Sequence, residues 1–467
     1  MKMRQQTYII NLTCSCILLV LVFLFVACRK SLQVAGPIDQ INSDNVFTND
    51  ETATAAVTGV YSQMQPTFLF YSCGGTTVFA GLMADELYKT NTINSEEMEF
   101  EQNELKTTNS IVFEYFWFQA YRQMYQVNVC IEKLEAANEL SPSVKKQLLG
   151  EALFVRAFIY FYLSSCFGDV PLLIKSSYEE NAKEGRKPVA EVFAQIISDL
   201  QRAKDLLQPN YPTNGRVRPN KWTACALLAR VYLYEQKWGE AEAEASFVIN
   251  SGSYSLLVNF PDVFLANSNE AIWQLMPVEP GFNVIEARSL IPTAAATSRP
   301  NYPLTNSLVN AFEVNDLRKT NWVATKTVSG QLFHYPFKYK IRNIGLPVTE
   351  YYMVFRYAEM LLIRAEARAQ QNRISEGLAD LNMIRTRAGL GASAANDKTS
   401  LLNAIEQERR VELFAEWGHR WMDLKRTGKS TQVLSPLKPA WQPTDILFPI
   451  PQSELLKNPK LNQNPGY

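Results

Sequence analysis

Residues 150–173 read GEALFVRAFIYFYLSSCFGDVPLL, and their pattern describes one long buried helix with marked ends. Ser141 suits the N-cap and Pro142 the first helical position, where the N–H that proline lacks would have had no partner. From Ala152 to Phe167 almost every residue is apolar, so no face of the helix can be left to water. The run falls short of the ~18 residues that argue for a membrane span, and Arg156 interrupts it. Gly168 then supplies a left-handed cap, and Pro171 forbids continuation.

Working outward, residues 113–140 are rich in aromatics and form an antiparallel hairpin with this helix. Residues 49–64 carry helical periodicity behind an Asp50 cap. In residues 189–207, Val189, Val192, Phe193, Ile196, Ile197, Leu200, Ala203 and Leu207 recur at three- and four-residue steps, the mark of an amphipathic helix. Residues 222–249 break at Lys237-Trp238-Gly239 into two helices. Ala229, Tyr232 and Ala241 have the small–large–small spacing of a tetratricopeptide repeat, where small residues let paired helices approach closely. Residues 356–387 echo the pattern, so about four helical pairs are expected. Residues 251–347 differ: Pro, Gly, Ser, Thr and Asn are frequent, and short runs (AIWQLMPV, YPFKYKIR) suggest small sheets embedded in loops. With so many aromatics, this long irregular stretch reads as functional rather than disordered.

Charge and cysteine content narrow the chemistry. Lys+Arg and Asp+Glu number 46 each. Loss of residues 1–27 would remove Lys2 and Arg4 but no acid, leaving 44 basic against 46 acidic groups. That balance gives no electrostatic footprint for nucleic acid. The only histidines are His334 and His419, and no HExxH or Cys-x-x-Cys motif is present, so no metal site is expected. No GxSxG elbow occurs, and His419 reads as structural rather than as a general base. Cys130, Cys166 and Cys225 fall on apolar helical stretches, where cysteine acts as a small hydrophobe.

The N-terminus reads MKMRQQTYIINLTCSCILLVLVFLFVAC. Lys2 and Arg4 precede a twelve-residue apolar run, Cys16 to Ala27, which is a signal-peptide length. Its end, Phe25-Val26-Ala27-Cys28, resembles a lipobox, with Phe25 in place of the usual leucine. Acylation of Cys28 would anchor the chain to a membrane, since several acyl chains on one cysteine hold stably. Arg29-Lys30-Ser31 follow, and the first acid is Asp39.

Residues 150–173 also resemble the signature of the SusD/RagB family, the outer-membrane lipoproteins with which Bacteroidetes capture glycans or peptides for uptake. So do GRVRPNKWTACALLARVYLY, LVNAFEVNDLRK, FRYAEMLLIRAEA, LADLNMIRTRAGL, ERRVELFAEWGHRWMDLKRTG and the closing FPIPQSELLKNPKLNQNPGY, in the family's order. The resemblance implies a mainly α fold: a tetratricopeptide-like scaffold of helical pairs with an irregular, loop-rich second region containing short strands. It divides the chain into a lipoprotein signal peptide (1–27), a lipidated tether (28–48), a SusD-like N-terminal helical region (49–250) and a SusD/RagB C-terminal region (251–467). It implies no cofactor and no catalysis. It also implies an outer-membrane protein, lipid-anchored and facing the cell exterior, that captures an oligosaccharide for a SusC-like TonB-dependent transporter. A peptide ligand, a tetratricopeptide adaptor and a surface glycosidase are the alternatives.

Two sets of residues follow. Glu406, Glu408, Glu412, Glu416 and Asp423 are interleaved with Arg409, Arg410 and Arg420, and Glu406–Arg410 and Glu416–Arg420 stand at the i,i+4 spacing of ion pairs. With Arg156 and Arg364, which lie inside apolar helices and must be paired if buried, Glu408, Arg409, Glu412, Arg420 and Asp423 read as a structural charge network. Phe414, Trp417, Trp421 and Leu424 form the apolar stripe beneath. Sugar binding needs exposed rings plus hydrogen-bonding groups. Tyr71, Tyr88, Phe282 and Trp322, in irregular segments, are the ligand candidates, with Tyr302 weaker because it borders the LVNAFEVNDLR block.

Overall fold

In the computed structural model, which describes residues 46–467, helices dominate and pair in chain order. The expected signal peptide, Cys28 and the tether as far as residue 45 lie outside the described residues. Four helical pairs stack in sequence: α1 (Asp50–Gln63) with α4 (Gln119–Ala136), then α5 (Pro142–Phe167) with α6 (Val189–Leu206), α7 (Lys221–Tyr234) with α8 (Trp238–Ile249), and α9 (Tyr357–Gln370) with α10 (Ile374–Arg387). Neighbouring pairs touch through α4 on α5, α6 on α7 and α8 on α9. Two short helices, α2 (Thr76–Met83) and α3 (Ser95–Gln102), lie between α1 and α4, and α11 (Lys398–Glu412) and α12 (His419–Arg426) follow α10. The array therefore continues across the irregular stretch.

The helix ends show where local chemistry fixed the boundaries. Asn49, not Asp50, caps α1: its side chain accepts the Thr52 N–H at 2.9 Å. Asp50 is the first helical residue and accepts the Ser141 N–H at 2.9 Å, tying the two helix starts together. Ser141 makes no side-chain cap bond, so α5 rests on Pro142 at its start. Gly168 ends α5 at φ 71°, ψ −123°, positive as expected but outside the left-handed helical basin, a conformation open to glycine. The turn preceding α4, Val112–Phe118, is π-helical.

Short sheets sit in the loops. β1 (Val170–Pro171) pairs with β2 (Arg186–Lys187), and β3 (Ala271–Leu275) pairs antiparallel with β6 (Tyr352–Arg356). β4 (Val323–Val328) and β5 (Gln331–Pro336) form a hairpin turned by Ser329 and Gly330, both at positive φ. β3 and β6 are fully buried because they lie on α5. Phe154 and Phe158, one helical turn apart, put their rings 4.9 and 5.3 Å from Trp273, and Tyr162 puts its ring 5.2 Å from Trp417. This explains the all-round apolar character of α5: helices cover one side and the strand pair the other. Although α5 is long and apolar enough to cross a membrane, 94% of its apolar 18-residue stretch is buried within the protein.

Charge is buried on the same scale. Arg156 forms a bidentate pair with Asp199 of α6 at 2.7 and 2.8 Å, and Arg230 a second one with Glu359 of α9, both bonds at 2.7 Å. Arg364 reaches Asp380 at 2.7 and 3.0 Å. Near the chain's C-terminal third, Arg318, Arg356 and Arg387 surround Glu412, with Asp316, Glu408, Glu270, Glu416 and Lys338 completing the cluster. Three guanidinium groups hold the Glu412 carboxyl well below the usual carboxylate range despite full burial.

Here the structure corrects the i,i+4 reading. The chain leaves helix after Glu412, turning through Ala415, Trp417 and Gly418 at positive φ before α12. Added at Gly418, a Cβ would lie 2.6 Å from the Ala80 Cβ, so the turn packs tightly on α2. Glu416 consequently pairs with Arg356 and Lys338 rather than Arg420, and Arg410 pairs with Asp85 at 2.5 Å rather than Glu406. Arg420 also takes Asp85, at 2.7 Å, while Arg409 and Arg426 share Asp423, each at 2.7 Å. Phe414, Trp417, Trp421 and Leu424 are all buried.

Candidate binding face

Of the four rings read as ligand contacts, two lie in the interior. Tyr71 is 2% exposed and its hydroxyl donates to Gln123 Oε1. Trp322 is 0% exposed, packed edge-on against Phe260 and Phe264, with the Lys338 ammonium 4.8 Å from its ring centre and Arg387 at 5.3 Å. It shields the buried charge cluster. Neither ring has a face to offer a sugar, so neither is a ligand contact. Tyr302 is buried as well: its hydroxyl donates to Glu97 at 3.0 Å, and Lys89, paired with the same carboxylate, lies over its ring.

Tyr88 and Phe282 remain half-buried at the surface. The Tyr88 N–H donates to the Pro303 carbonyl at 3.0 Å, and the Thr90 hydroxyl to that of Pro300 at 2.6 Å, which lays residues 88–90 alongside residues 300–303. Phe282 faces the Arg288 guanidinium, 5.3 Å from its ring centre. Sequence reading missed the more exposed rings. Phe68 and Phe70 stack with centroids 6.0 Å apart, and Phe70 meets Tyr115 at 5.3 Å, giving a row of three rings that reaches the surface. The Phe-Leu-Phe run at residues 68–70 was the available signal, since alternate residues of extended chain share one side and the two rings there fall together.

The row adjoins the other loops. Leu69 sits beside Ile285 and Glu286, because a Cβ added at Gly74 would meet all three within 3.4 Å. The Gly345 N–H bonds the Gly281 carbonyl at 2.9 Å, and Met276, Val278, Ile344 and Leu346 are exposed on these two linked loops. Residues 66–70, 88–97, 282–303 and Tyr115 therefore form one face carrying rings beside polar Asn91, Thr92, Asn94 and Asn301.

The acids lining one cleft are engaged. In a cleft of about 340 Å³, Glu366 and Asp423 pair with Arg426, and Glu406 pairs with Lys429. Burial pushes Glu86 and Glu286 up to about 8, so both are neutral acids at pH 7, but both are enclosed in the core. His419 is buried too, held well below its ordinary value by burial and by Arg230 and Arg409. Among the described residues no group of three His, Cys, Asp or Glu side chains is arranged to hold a metal ion. Cys73, Cys130, Cys166 and Cys225 are free and buried.

Comparison with known proteins gives a consistent result. Residues 40–233 match a SusD-like family model described as "Starch-binding associating with outer membrane", and residues 315–467 match the SusD family model. SusD-like protein P38 of Formosa agariphila is 27% identical over 526 aligned positions, covering 98% of this chain and 99% of that protein. Starch-binding protein SusD of Bacteroides thetaiotaomicron is 30% identical over 125 positions, 26% of this chain and 22% of that protein. Among solved structures, a SusD superfamily protein from Bacteroides vulgatus superposes with TM-score 0.79 at 23% identity, over 90% of this chain and 100% of that one. A laminarin-binding SusD-like protein superposes with TM-score 0.78 at 24% identity, with the same coverage. The helical-pair fold is shared with both.

Proposed function

This chain belongs to the SusD family, and from that premise we propose that it captures carbohydrate at the cell surface and releases it unchanged. The observation that carries the reading is the row Phe68–Phe70–Tyr115, which reaches the surface at Phe68 beside polar loops on a rigid scaffold. Apolar faces of sugar rings stack on such aromatics, while the asparagine amides and threonine hydroxyls meet the sugar hydroxyls. Most sugar hydroxyls only exchange water for protein partners, so affinity at this face is expected to be about micromolar or weaker.

The wider assignment rests on the sequence. Cleavage before Cys28 and acylation of its thiol hold the protein on the outer membrane, facing the cell exterior. A SusC-like TonB-dependent transporter receives the ligand, and the stacked helical pairs supply the rigid surface suited to a permanent partner. The signal peptide (1–27), tether (28–48), helical region (49–250) and C-terminal region (251–467) divide the chain accordingly. The polar groups near the rings also suit a peptide backbone, which remains the second ligand class.

Affinity electrophoresis through gels containing starch, laminarin or other glycans tests the reading. Retardation of the wild-type chain by one of them, lost in Phe68→Ala/Phe70→Ala, is the expected outcome. Equal retardation of both proteins would remove the row from the site.

A further inference from the structure

A second set of rings, none of them among the residues of that face, lies on α4 and at its N-cap, Phe118. Phe118, Tyr121, Arg122 and Tyr125 recur at helical spacing on one side of the helix, while Ala120, Gln123, Met124 and Val127 are buried on the other. A solvent-facing helix side is ordinarily charged. This one leaves Phe118 47% and Tyr125 54% exposed, and across a groove of about 580 Å³ stands Tyr178, 83% exposed. The walls are completed by Trp117, Asn181, Asn458 and Lys457. Exposed apolar surface concentrated in a groove marks a binding site more often than chance exposure does.

The polar groups say what it would bind. Among the described residues the Tyr125 and Tyr178 hydroxyls and the Arg122 guanidinium make no hydrogen bond or ion pair. Gln126 lines the groove, and its Oε1 is shielded from solvent with no donor. An unpaired buried acceptor is costly, and a ligand hydroxyl would satisfy it. The charges of the lining residues balance, Arg122 and Lys457 against Glu184 and Glu454, with Glu454 paired to Lys457 at 2.8 Å. A groove with balanced charge, three exposed rings and unpaired donors and acceptors suits a neutral polyhydroxylated ligand. Its volume falls within the range of about 300–1,000 Å³ usual for small-ligand sites.

We propose that this groove, between α4, residues 171–184 and residues 454–461, is a second saccharide-binding site, independent of the loop face. The choice of ligand class rests on the carbohydrate reading above; the existence of the site rests on the groove itself. Two sites on one chain would raise the retention of a long glycan, because after the first engagement the second becomes intramolecular.

Calorimetry of the full chain with maltoheptaose and with laminarihexaose tests this, comparing wild type with Tyr125→Ala/Tyr178→Ala, Gln126→Leu and Phe68→Ala/Phe70→Ala. The replaced groove tyrosines carry exposed rings with no bonded hydroxyl, so unfolding midpoints should stay at the wild-type value. Expected are two binding events per chain. Tyr125→Ala/Tyr178→Ala should remove one, Gln126→Leu should weaken that same one severalfold, and the loop variant should keep it. One event, lost in the loop variant and unchanged in both groove variants, overturns the second site and leaves the proposed function standing. One event, lost only in the groove variants, supports the groove and removes the loop face from the function. No saccharide binding in any protein, or saturation of the groove by peptides alone, overturns the inference.

Discussion

Arg156→Leu tests how much of the fold depends on buried charge. The wild-type guanidinium makes two bonds to Asp199 and further ones to Asn128 Oδ1 at 3.2 Å and the Ile174 carbonyl at 3.4 Å. Leucine fills part of the space but leaves the Asp199 carboxylate buried, with Gln195 Nε2 at 2.9 Å as its remaining side-chain donor. Breaking a buried pair from one side costs about 3–5 kcal/mol. An unfolding entropy of about 2.1 cal/mol/K per residue gives roughly 0.9 kcal/mol/K over the ~420 described residues, so the midpoint should fall by ~3–6 °C. The assay is thermal unfolding by calorimetry, with Asp199→Leu and the double variant completing a cycle. The double variant should recover much of the loss, because replacing a whole buried pair by apolar groups is often close to neutral. An unchanged midpoint in Arg156→Leu, or a double variant as unstable as the sum of the two single ones, would refute the reasoning.

Trp322→Ala should cost about 3–5 kcal/mol in stability by opening a cavity over the Lys338–Arg387 cluster, with glycan affinity intact at temperatures where the variant is folded; a selective loss of affinity would contradict its place in the core. Glu286, enclosed near Thr77, Tyr352, Cys73, Tyr339, Lys338 and Glu416, is raised by burial from 4.5 to about 8, so its proton stabilises the folded state below pH 4.5 and that stabilisation is lost as pH rises through 8. Glu286→Gln should therefore flatten the fall in stability between pH 4.5 and 8, a slope of up to about 1.4 kcal/mol per unit, and an unaltered slope would show that the acid titrates normally. Cys28→Ala should release the protein from membranes into the soluble fraction, and intact mass of the extracted wild type should show loss of residues 1–27 plus acyl mass; a variant still in the pellet contradicts lipidation.

The helices were legible because each carries its own periodicity. Val192, Phe193, Ile196 and Leu200 of α6 announced their buried face, and the break before Trp238 was visible at the chain level. Four pairs could be expected from small residues such as Ala229 and Ala241. Partners in the charge network were not legible. Glu412 meets Arg318, Arg356 and Arg387, which lie 94, 56 and 25 residues away, and no local spacing encodes such pairings. The binding face failed for a related reason. Tyr71 and Trp322 lie in stretches without clear sequence periodicity, yet Tyr71 opens a π-helical turn and Trp322 ends a short helix, both packed against the core. Conversely, the α4 rings follow the helical spacing typical of core residues, and the groove opposite leaves them uncovered.

The central claim is that this chain binds carbohydrate and leaves it intact. Isothermal titration with starch- and laminarin-derived oligosaccharides, followed by mass analysis of the recovered sugar, tests it most directly. The expected result is saturable binding at about micromolar affinity or weaker, with every chain recovered at its original length. Shortened oligosaccharides, or saturable binding confined to peptides, would contradict it.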